Sequence, residues 1–270
     1  MTRLLRRAVL PLLLAVFLPV AGFCRDRIVS FRPNVTEILF ALGLGDQVVG
    51  VTTFCTHPPE AQKIAKIGGY SNRSLEKILS LKPDLAVIVP DATTPRLESA
   101  LQRSGVAVLS VKADSLEDVM ASIRSIAAKT GVPGRGETLI ASLRDRIDAA
   151  AAKAKGRPAR KALMVIQRRP LIVAGGGTFL DSLLKLAGAE NIAGASRLPY
   201  PNFSMETVIA RAPDVIIDMD ATDTGDFWSR YASLPAVKNG AVKKLPADLF
   251  VPGPRIPEAL DALIQATQSR

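Results

Sequence analysis

Histidine and cysteine are scarce in this 270-residue chain, which contains one His and two Cys. A structural zinc site takes four Cys, His or carboxylate ligands, and a His-dependent serine triad needs a His beside its nucleophile. His57 would have to serve in either case, and together with Cys55 it leaves a metal site incomplete. We therefore expect no metal site, and we interpret His57 as a solvent-facing loop residue rather than a ligand of iron or cobalt.

Long apolar runs are absent after residue 23, which excludes a transmembrane helix from that part of the chain. The first 23 residues differ, because Arg3, Arg6 and Arg7 precede an apolar run that ends in small residues. This pattern predicts a secretory signal peptide over residues 1–22 and a periplasmic location, with an N-terminal membrane anchor as the alternative. Lipid attachment at Cys24 is less favoured, because bulky Phe23 stands where such signals prefer a small residue.

A block that mixes basic and aromatic residues is also lacking. The formal charge is +10, or +7 without the three arginines of the predicted signal peptide. Such a charge could suit an anionic ligand or a membrane surface, but Lys and Arg are scattered along the predicted helices. We therefore expect no nucleic-acid partner.

The two cysteines are not expected to form a disulfide. Cys24 precedes the first predicted strand, and Cys55 follows the second. In parallel neighbouring strands these sulfurs would lie roughly 15–20 Å apart at 3.3 Å per residue. A disulfide requires Cα atoms within about 7 Å.

Short β-branched runs alternate with helical patterns along the rest of the chain, which predicts an α/β fold with parallel sheets. We expect two Rossmann-like lobes: an N-terminal lobe over 27–132 and a C-terminal lobe over 158–270. A linking helix over 133–157 joins them, and residues 27–270 together form one binding domain. The predicted strands are 28–31, 48–53, 85–89, 107–111, 162–167, 171–173, 215–219 and 241–245; the predicted helices are 34–43, 74–81, 94–104, 115–129, 178–187, 204–211, 226–232 and 257–267.

Two pairs of segments indicate that the lobes are copies of one unit. Residues 74–88 and 204–217 share a Ser–apolar–Glu start, a short helix, a Pro-Asp break and an apolar strand, 130 positions apart. Residues 37–50 resemble residues 181–194 at an offset of 144. A duplicated pair of lobes predicts a ligand cleft between them. Because a long helix rather than a flexible linker joins the lobes, we expect only a small hinge motion.

Four groups of motifs follow one another along the chain: Ile28–Glu37, Val49–Thr52, Gly68–Tyr70 with Ser74–Glu76, and Phe179–Asp181 with Leu186–Ile192. In sequence and order they resemble the class III substrate-binding proteins of ABC importers, which carry cobalamin, ferric siderophores and haem. The loops Pro58–Ala61 and Pro252–Arg255 are most similar to the cobalamin-binding branch. The resemblance implies a monomeric, non-enzymatic binding protein without a cofactor. Its ligand would be a metal-chelate, most closely cobalamin, and its partners the permease and ATPase of an ABC importer.

Glu76 and Glu206 occupy the second helical position after Ser74 and Ser204. A serine at this place caps the helix and a glutamate complements the positive helix end, for about 0.3–1 kcal/mol. That structural explanation is sufficient by itself. The resemblance adds that these two carboxylates dock on the permease, and the two explanations are compatible.

Ligand contacts are expected from loops that follow strand ends, where open α/β sheets place their sites. Aromatic faces suit a flat corrinoid ring, and Asn or Ser donors suit its amide arms. Some of these aromatic residues could instead belong to the core. The predicted contacts are Arg32, Pro33, Asn34, Phe54, Cys55, Tyr70, Ser71, Asn72, Arg168, Tyr200, Trp228 and Arg255; the same loops include Thr53, Gln167, Arg169, Asn202, Phe227 and Phe250.

Two other functions stay open at this point. Arg32, Arg168, Arg169 and Arg255 could bind the carboxylates of a siderophore or haem bidentately, and Phe54 and His57 depart from the family's usual residues. The loop Gly175–Gly177 follows a strand and opens a helix, as in a dinucleotide-binding oxidoreductase. It lacks the third glycine of that motif, so a tight turn is the better interpretation. No G-x-S-x-G motif indicates a serine hydrolase.

Overall fold

Two separate β-sheets organise the protein, one within residues 28–110 and one within residues 160–244. The computed structural model describes residues 27–70, 72–92, 94–222 and 227–268. The predicted signal peptide, Cys24 and Ser71 lie outside these ranges, so the expectations for them stay predictions.

The N-terminal sheet is parallel throughout. Its strands are β1 (Ile28–Ser30), β2 (Val48–Val51), β3 (Leu85–Ile88) and β4 (Ala107–Ser110), in the order β2-β1-β3-β4. The intervening helices are α1 (Pro33–Ala41), α2 (Leu75–Ser80), α3 (Thr94–Arg103) and α4 (Leu116–Lys129). β1 and β3 are buried along their whole length, as expected for strands covered by helices on both faces.

The C-terminal sheet has the order β6-β5-β8-β9, with β7 also pairing with β5. Its strands are β5 (Arg160–Arg168), β6 (Leu171–Val173), β7 (Ala189–Asn191), β8 (Val215–Asp218) and β9 (Val242–Lys244). The helices are α6 (Phe179–Leu186), α7 (Met205–Arg211), α8 (Pro235–Lys238) and α9 (Ile256–Gln268). This architecture confirms the predicted α/β fold with two lobes and parallel sheets.

One strand departs from the parallel arrangement. The first residues of β5 pair with β7 in parallel, whereas its last residues pair with β6 in antiparallel register. Only Arg169 and Pro170 separate β5 from β6. Two residues suffice for a hairpin but not for the crossover that a parallel neighbour needs, so β6 must run antiparallel.

The sequence repeat corresponds to a repeat of topology. Without β6, the order β7-β5-β8-β9 matches β2-β1-β3-β4 element by element. Lys82 and Ala212, 130 positions apart, both end their helices with a φ of 46°. Gly43 and Gly188 follow α1 and α6 with φ of 73° and 72°. These glycines are 145 positions apart. The ends of the two helices are therefore offset by one residue more than the 144 positions that separate the matching sequence segments.

Short elements were the hardest to predict. The sequence pattern did not indicate β7 or α8, which have three and four residues. Of the predicted helix at 226–232, the described residues form only a single turn of 3-10 helix at Ser229–Tyr231. Such short segments carry too little hydrophobic periodicity to be recognised.

The long helix α5 (Pro133–Ala152) lies between the sheets and packs on α4 on one side and α9 on the other. Its apolar residues Ile140, Leu143 and Ile147 join one hydrophobic cluster that contains residues of both lobes. Arg146 and Lys153 form ion pairs with Glu258 and Asp261 of α9. The predicted division at residues 133 and 157 is not tested by this packing and stays a prediction. Within the described residues, no helix combines the length and apolarity needed to cross a membrane.

Candidate functional site

Three strands of the N-terminal sheet end at one edge of the lobe, and a charged or aromatic residue follows each of them. Arg32 lies two residues after β1, Phe54 three residues after β2, and Asp91 three residues after β3. Carboxyl ends of parallel strands are where open α/β sheets place ligands. The structure brings Arg32, Phe54 and Tyr70 together at this edge.

These three side chains form a layered arrangement. The rings of Phe54 and Tyr70 are stacked, with centroids 4.3 Å apart and an angle of 26° between their planes. The Arg32 guanidinium carbon lies 4.1 Å from the Tyr70 ring centroid. Phe54 is 50% exposed, so its outer face is open to a flat apolar partner. Burial raises the pKa of Tyr70, and the nearby Arg32 charge opposes that rise.

Asp91 fixes the position of the Arg32 guanidinium. Its carboxylate is 2.9 Å from Arg32 Nη2 and 2.7 Å from Arg73 Nη2. The Thr94 hydroxyl also donates to it, at 3.0 Å. A shared carboxylate that is itself hydrogen-bonded limits the rotamers of both arginines. Arg32 therefore belongs to a structured ion-pair group rather than acting as an isolated ligand clamp.

In the C-terminal lobe, the corresponding edge is closed by a buried charge cluster. Arg168 is 2% exposed, and its Nε lies 3.6 Å from the carboxylates of both Asp218 and Asp220. The indole of Trp228, 3% exposed, donates to Asp218 at 2.8 Å. Arg168 and Trp228 thus face the interior. The expectation that they contact ligand is not supported by this placement, because neither offers more than a trace of surface.

The exposed wall of this lobe is instead formed by Leu198 and Tyr200, which are 63% and 54% exposed. Tyr200 lines a cavity of about 320 Å³ together with Ala113, Ile166, Met219 and Phe250. Partial desolvation in this cavity raises the pKa of Tyr200, although about half of its side chain is exposed, and the negative charge of Asp114 adds to the rise. Ala113 and Asp114 follow β4, so this cavity lies between the two lobes.

A second contact between the lobes involves Arg255, another predicted ligand contact. Its guanidinium donates to both carboxylate oxygens of Glu37 on α1, at 3.0 and 2.7 Å. His57 Nε2 lies 3.1 Å from the carboxylate of Asp248. Desolvation raises the pKa of Glu37, and the Arg255 hydrogen bonds counteract it. Arg255 is therefore engaged in joining the lobes, and His57 contacts a carboxylate rather than only solvent.

The remaining predicted residues divide by exposure. Cys55 is fully buried, 3.1 Å from the Thr52 hydroxyl, and Asn34 is buried in the first turn of α1. Asn72 accepts from the backbone N–H of Gly69 at 2.8 Å and shapes the loop next to Tyr70. Pro33, at the start of α1, is partly exposed. Contacts by Cys55 and Asn34 would require the site to open, because both lie beneath the surface.

The other residues of the predicted loops are placed less centrally. Arg169 and Asn202 are exposed, and Gln167 donates to the carbonyl of Arg169 at 2.6 Å. Phe227 packs edge-on against Trp228 in the core of the C-terminal lobe, with ring centroids 4.9 Å apart. Thr53 is exposed beside Phe54.

Glu76 and Glu206 are both exposed, on α2 and α7. The Ser74 hydroxyl accepts from Lys77 N–H and the Ser204 hydroxyl from Thr207 N–H, each at 3.2 Å. Hydrogen bonds from its own backbone N–H and from Ser204 lower the pKa of Glu206. The capping role is thus present in both copies, and both carboxylates remain accessible to a partner.

Three contributors were missed by the sequence patterns. Asp91 and Asp114 lie three and four residues after β3 and β4, so the strand-end rule could have indicated them. Leu198 had no such signal, because a lone exposed leucine resembles any surface residue. Among the described residues, no group of three His, Cys, Asp or Glu side chains is placed to bind a metal.

Comparison with known proteins gives a consistent result. The model of a family described as periplasmic binding protein matches residues 28–249. A vitamin B12-binding protein of Vibrio cholerae is 31% identical over 243 residues, which cover 88% of each chain. The solved structure of the periplasmic vitamin B12 binding protein of Vibrio cholerae is 28% identical, with a TM-score of 0.80 over 90% of this chain and 96% of that one. A periplasmic heme-binding protein from Roseiflexus sp. RS-1 is 33% identical, with a TM-score of 0.82 over 90% of this chain and 99% of the other.

Proposed function

This chain belongs to the periplasmic binding protein family, and we propose that it captures cobalamin between its two lobes and delivers it to an ABC importer. The relatives named vitamin B12-binding proteins support this ligand, because they match almost the full length of both chains. No catalytic step and no resident cofactor are part of the proposal. Affinity would come from burial of the ligand between the lobes.

The observation that carries the proposal is the presence of exposed aromatic faces on both lobes. Phe54, stacked on Tyr70, belongs to the N-terminal lobe, and Tyr200 belongs to the C-terminal lobe. A corrin ring is a large flat group with apolar faces, and aromatic rings provide matching area at low entropic cost. Exposed apolar side chains on the two sides of a cleft are typical of a ligand site rather than of a plain surface.

Delivery would use the two exposed carboxylates. Glu76 and Glu206 occupy equivalent positions in the repeat, one on each lobe. A permease that contacts both would engage each lobe separately and could move them apart to release the ligand. The proposal places the protein in the periplasm as a monomer, exported by the predicted signal peptide, with the permease and ATPase of the importer as partners.

Calorimetric titration with cyanocobalamin, haemin and a panel of ferric siderophores tests the ligand. We expect saturable 1:1 binding of cyanocobalamin, weakened by Phe54→Ala. Ile209→Ala is the matched control, because Ile209 is also about half exposed but lies on α7. Absence of cyanocobalamin binding together with tight haemin binding would replace the proposal by the second candidate. The fluorescence of Trp228, the single tryptophan, provides a second signal of binding. Because Trp228 is buried, its quenching by bound ligand would report energy transfer rather than direct contact.

Haem is the second candidate, favoured by one specific feature. Tyr200 lines the cavity between the lobes, Tyr70 is partly exposed beside Phe54, and a tyrosine oxygen is among the groups that bind haem iron. The similar heme-binding structure gives this alternative further support. A haemin spectrum that changes on Tyr70→Phe or Tyr200→Phe would favour haem; an unchanged spectrum in both variants would count against it.

A further inference from the structure

The loop Gly175–Gly177, which resembles part of a dinucleotide motif, lies under the segment that carries Tyr200. On one side, Ala174 N–H donates to the carbonyl of Met164 in β5, at 2.9 Å. On the other side, Gly175 N–H donates to the carbonyl of Pro199 at 2.8 Å, and Val173 N–H to that of Pro201 at 3.1 Å. The segment 198–201 is therefore attached to the sheet edge through β6 and its continuation.

Residue 175 has no room for a side chain. A Cβ built on Gly175 would lie 2.2 Å from the carbonyl oxygen of Leu198 and 3.0 Å from Cδ of Pro201. The nearest of these atoms belongs to the backbone, so no side-chain rotation could relieve the overlap. The segment would have to move by roughly 1 Å to reach ordinary contact distance.

The two prolines limit how the segment can respond. Pro199 and Pro201 have no N–H to donate, and their carbonyl oxygens accept the backbone hydrogen bonds from Gly175 and Val173. Because these two bonds lie on either side of Tyr200, we expect the segment to move as a unit when one of them is displaced. Leu198 and Tyr200 are the most exposed large apolar side chains in the described part of the chain.

We propose that Gly175 is a positioning residue for the ligand site: its missing side chain lets the 198–201 segment lie directly on the sheet edge and thereby fixes Tyr200 at the cleft. The predicted effect on ligand affinity rests on the proposed function, whereas the predicted effect on the position of Tyr200 does not. A binding site needs its contacts within about 0.5 Å of the productive geometry, so a shift of this size reduces affinity.

Gly175→Ala tests the inference without ligand first. The chain has three tyrosines, so the NMR spectrum of a sample with isotope-labelled tyrosine rings contains few signals, and the Tyr200→Phe variant identifies that of Tyr200. We expect Gly175→Ala to move the Tyr200 signal and to leave those of Tyr70 and Tyr231 in place. Gly134→Ala is the matched control, because a Cβ at residue 134 meets nothing within 4 Å. All tyrosine ring signals should stay unchanged in this variant. An unmoved Tyr200 signal in Gly175→Ala overturns the inference.

A double-mutant cycle with cyanocobalamin tests the consequence. We expect Tyr200→Ala to weaken binding about tenfold, the loss of one aromatic contact. Gly175→Ala should weaken binding about fivefold alone and by less than about twofold in the Tyr200→Ala background, since it acts through Tyr200. Equal loss in both backgrounds would show a general structural effect and overturn the inference.

A second variant and the ligand-free measurement distinguish a failure of the inference from misfolding and from a failure of the proposed function. If Gly175→Ala does not fold, Pro201→Gly loosens the same segment without adding volume, and it should show the same dependence on Tyr200 in the cycle. If the wild-type protein binds no cyanocobalamin, the proposed function fails, and the ring signals alone decide whether Gly175 positions Tyr200.

Discussion

In the N-terminal lobe Arg32, Phe54 and Asp91 follow the ends of β1, β2 and β3, and the ion pairs of Asp91 are partly open to solvent. In the C-terminal lobe the same strand ends hold a buried cluster of Arg168, Asp218 and Asp220. There the exposed wall comes from the 198–201 segment attached through β6. One topology thus provides two different walls, because the added hairpin β5-β6 creates a new edge on which a loop can lie.

Glu76 and Glu206, the carboxylates proposed to dock on the permease, are the feature in which the lobes are alike, and their removal should have the largest effect. We expect Glu76→Ala combined with Glu206→Ala to abolish uptake in cells while cyanocobalamin affinity stays unchanged. Glu117→Ala is the matched control, because Glu117 also follows a capping serine, Ser115, by two residues and is exposed. Lost affinity in the double variant, or lost uptake in the control, would contradict a docking role.

The buried cluster of the C-terminal lobe should respond more strongly than its N-terminal counterpart. Removing Arg168 by Arg168→Met leaves two buried carboxylates without that partner, and we expect a loss of about 3–5 kcal/mol in the free energy of unfolding. Arg32→Met, in a partly exposed group, should cost about 1 kcal/mol or less. Urea denaturation measures both, with the exposed neighbour Arg169→Met as control at about 0.5 kcal/mol. Equal losses at Arg168 and Arg32 would remove the distinction between the lobes.

The two walls should contribute similarly to affinity despite their different construction. Phe54→Ala and Tyr200→Ala are each expected to weaken cyanocobalamin binding by about 1–1.5 kcal/mol, the value of one aromatic contact beyond its area. Calorimetry on the two variants and on their combination checks whether the losses add, as expected for residues on opposite walls. A loss confined to one variant would mean that a single lobe carries the site.

The smallest effect is expected at the ion pair between the lobes. Burial raises the pKa of Glu37 in the folded protein. The folded state therefore binds this proton more tightly than the unfolded state. The contribution of Glu37 to stability is greatest below its ordinary pKa of 4.5 and declines as the pH rises through the raised pKa. Glu37→Gln should flatten this part of the stability profile measured by urea denaturation. If the free energy of unfolding of Glu37→Gln keeps the same slope with pH, another group causes this pH dependence.

Local features were predictable from the sequence because their causes are local. The capping serines Ser74 and Ser204 stand next to the helices that they begin, and the strand ends that place Arg32 and Phe54 follow from hydrophobic periodicity. The apolar stripe of α5 likewise predicted a long helix, although the helix ends at Ala152 and the predicted segment extended to residue 157.

Long-range features were not predictable, because they depend on packing between distant segments. The Glu37–Arg255 pair joins residues 218 positions apart, and no pattern around either residue indicates the other. Trp228 was expected at the cleft because aromatic residues suit a flat ligand, but its indole satisfies Asp218 in the core. The loop Gly175–Gly177 resembled part of a dinucleotide-binding motif. In the structure, residue 175 must be glycine because the carbonyl oxygen of Leu198 occupies the space that a side chain would need.

A crystal structure of the protein with cyanocobalamin is the most direct test of a site shared by two lobes. We predict that the corrin ring contacts Phe54 and Tyr200 at the same time, with α5 straight and only a small change in the angle between the sheets. A ligand bound to one lobe alone, or outside the space between the sheets, would contradict the account.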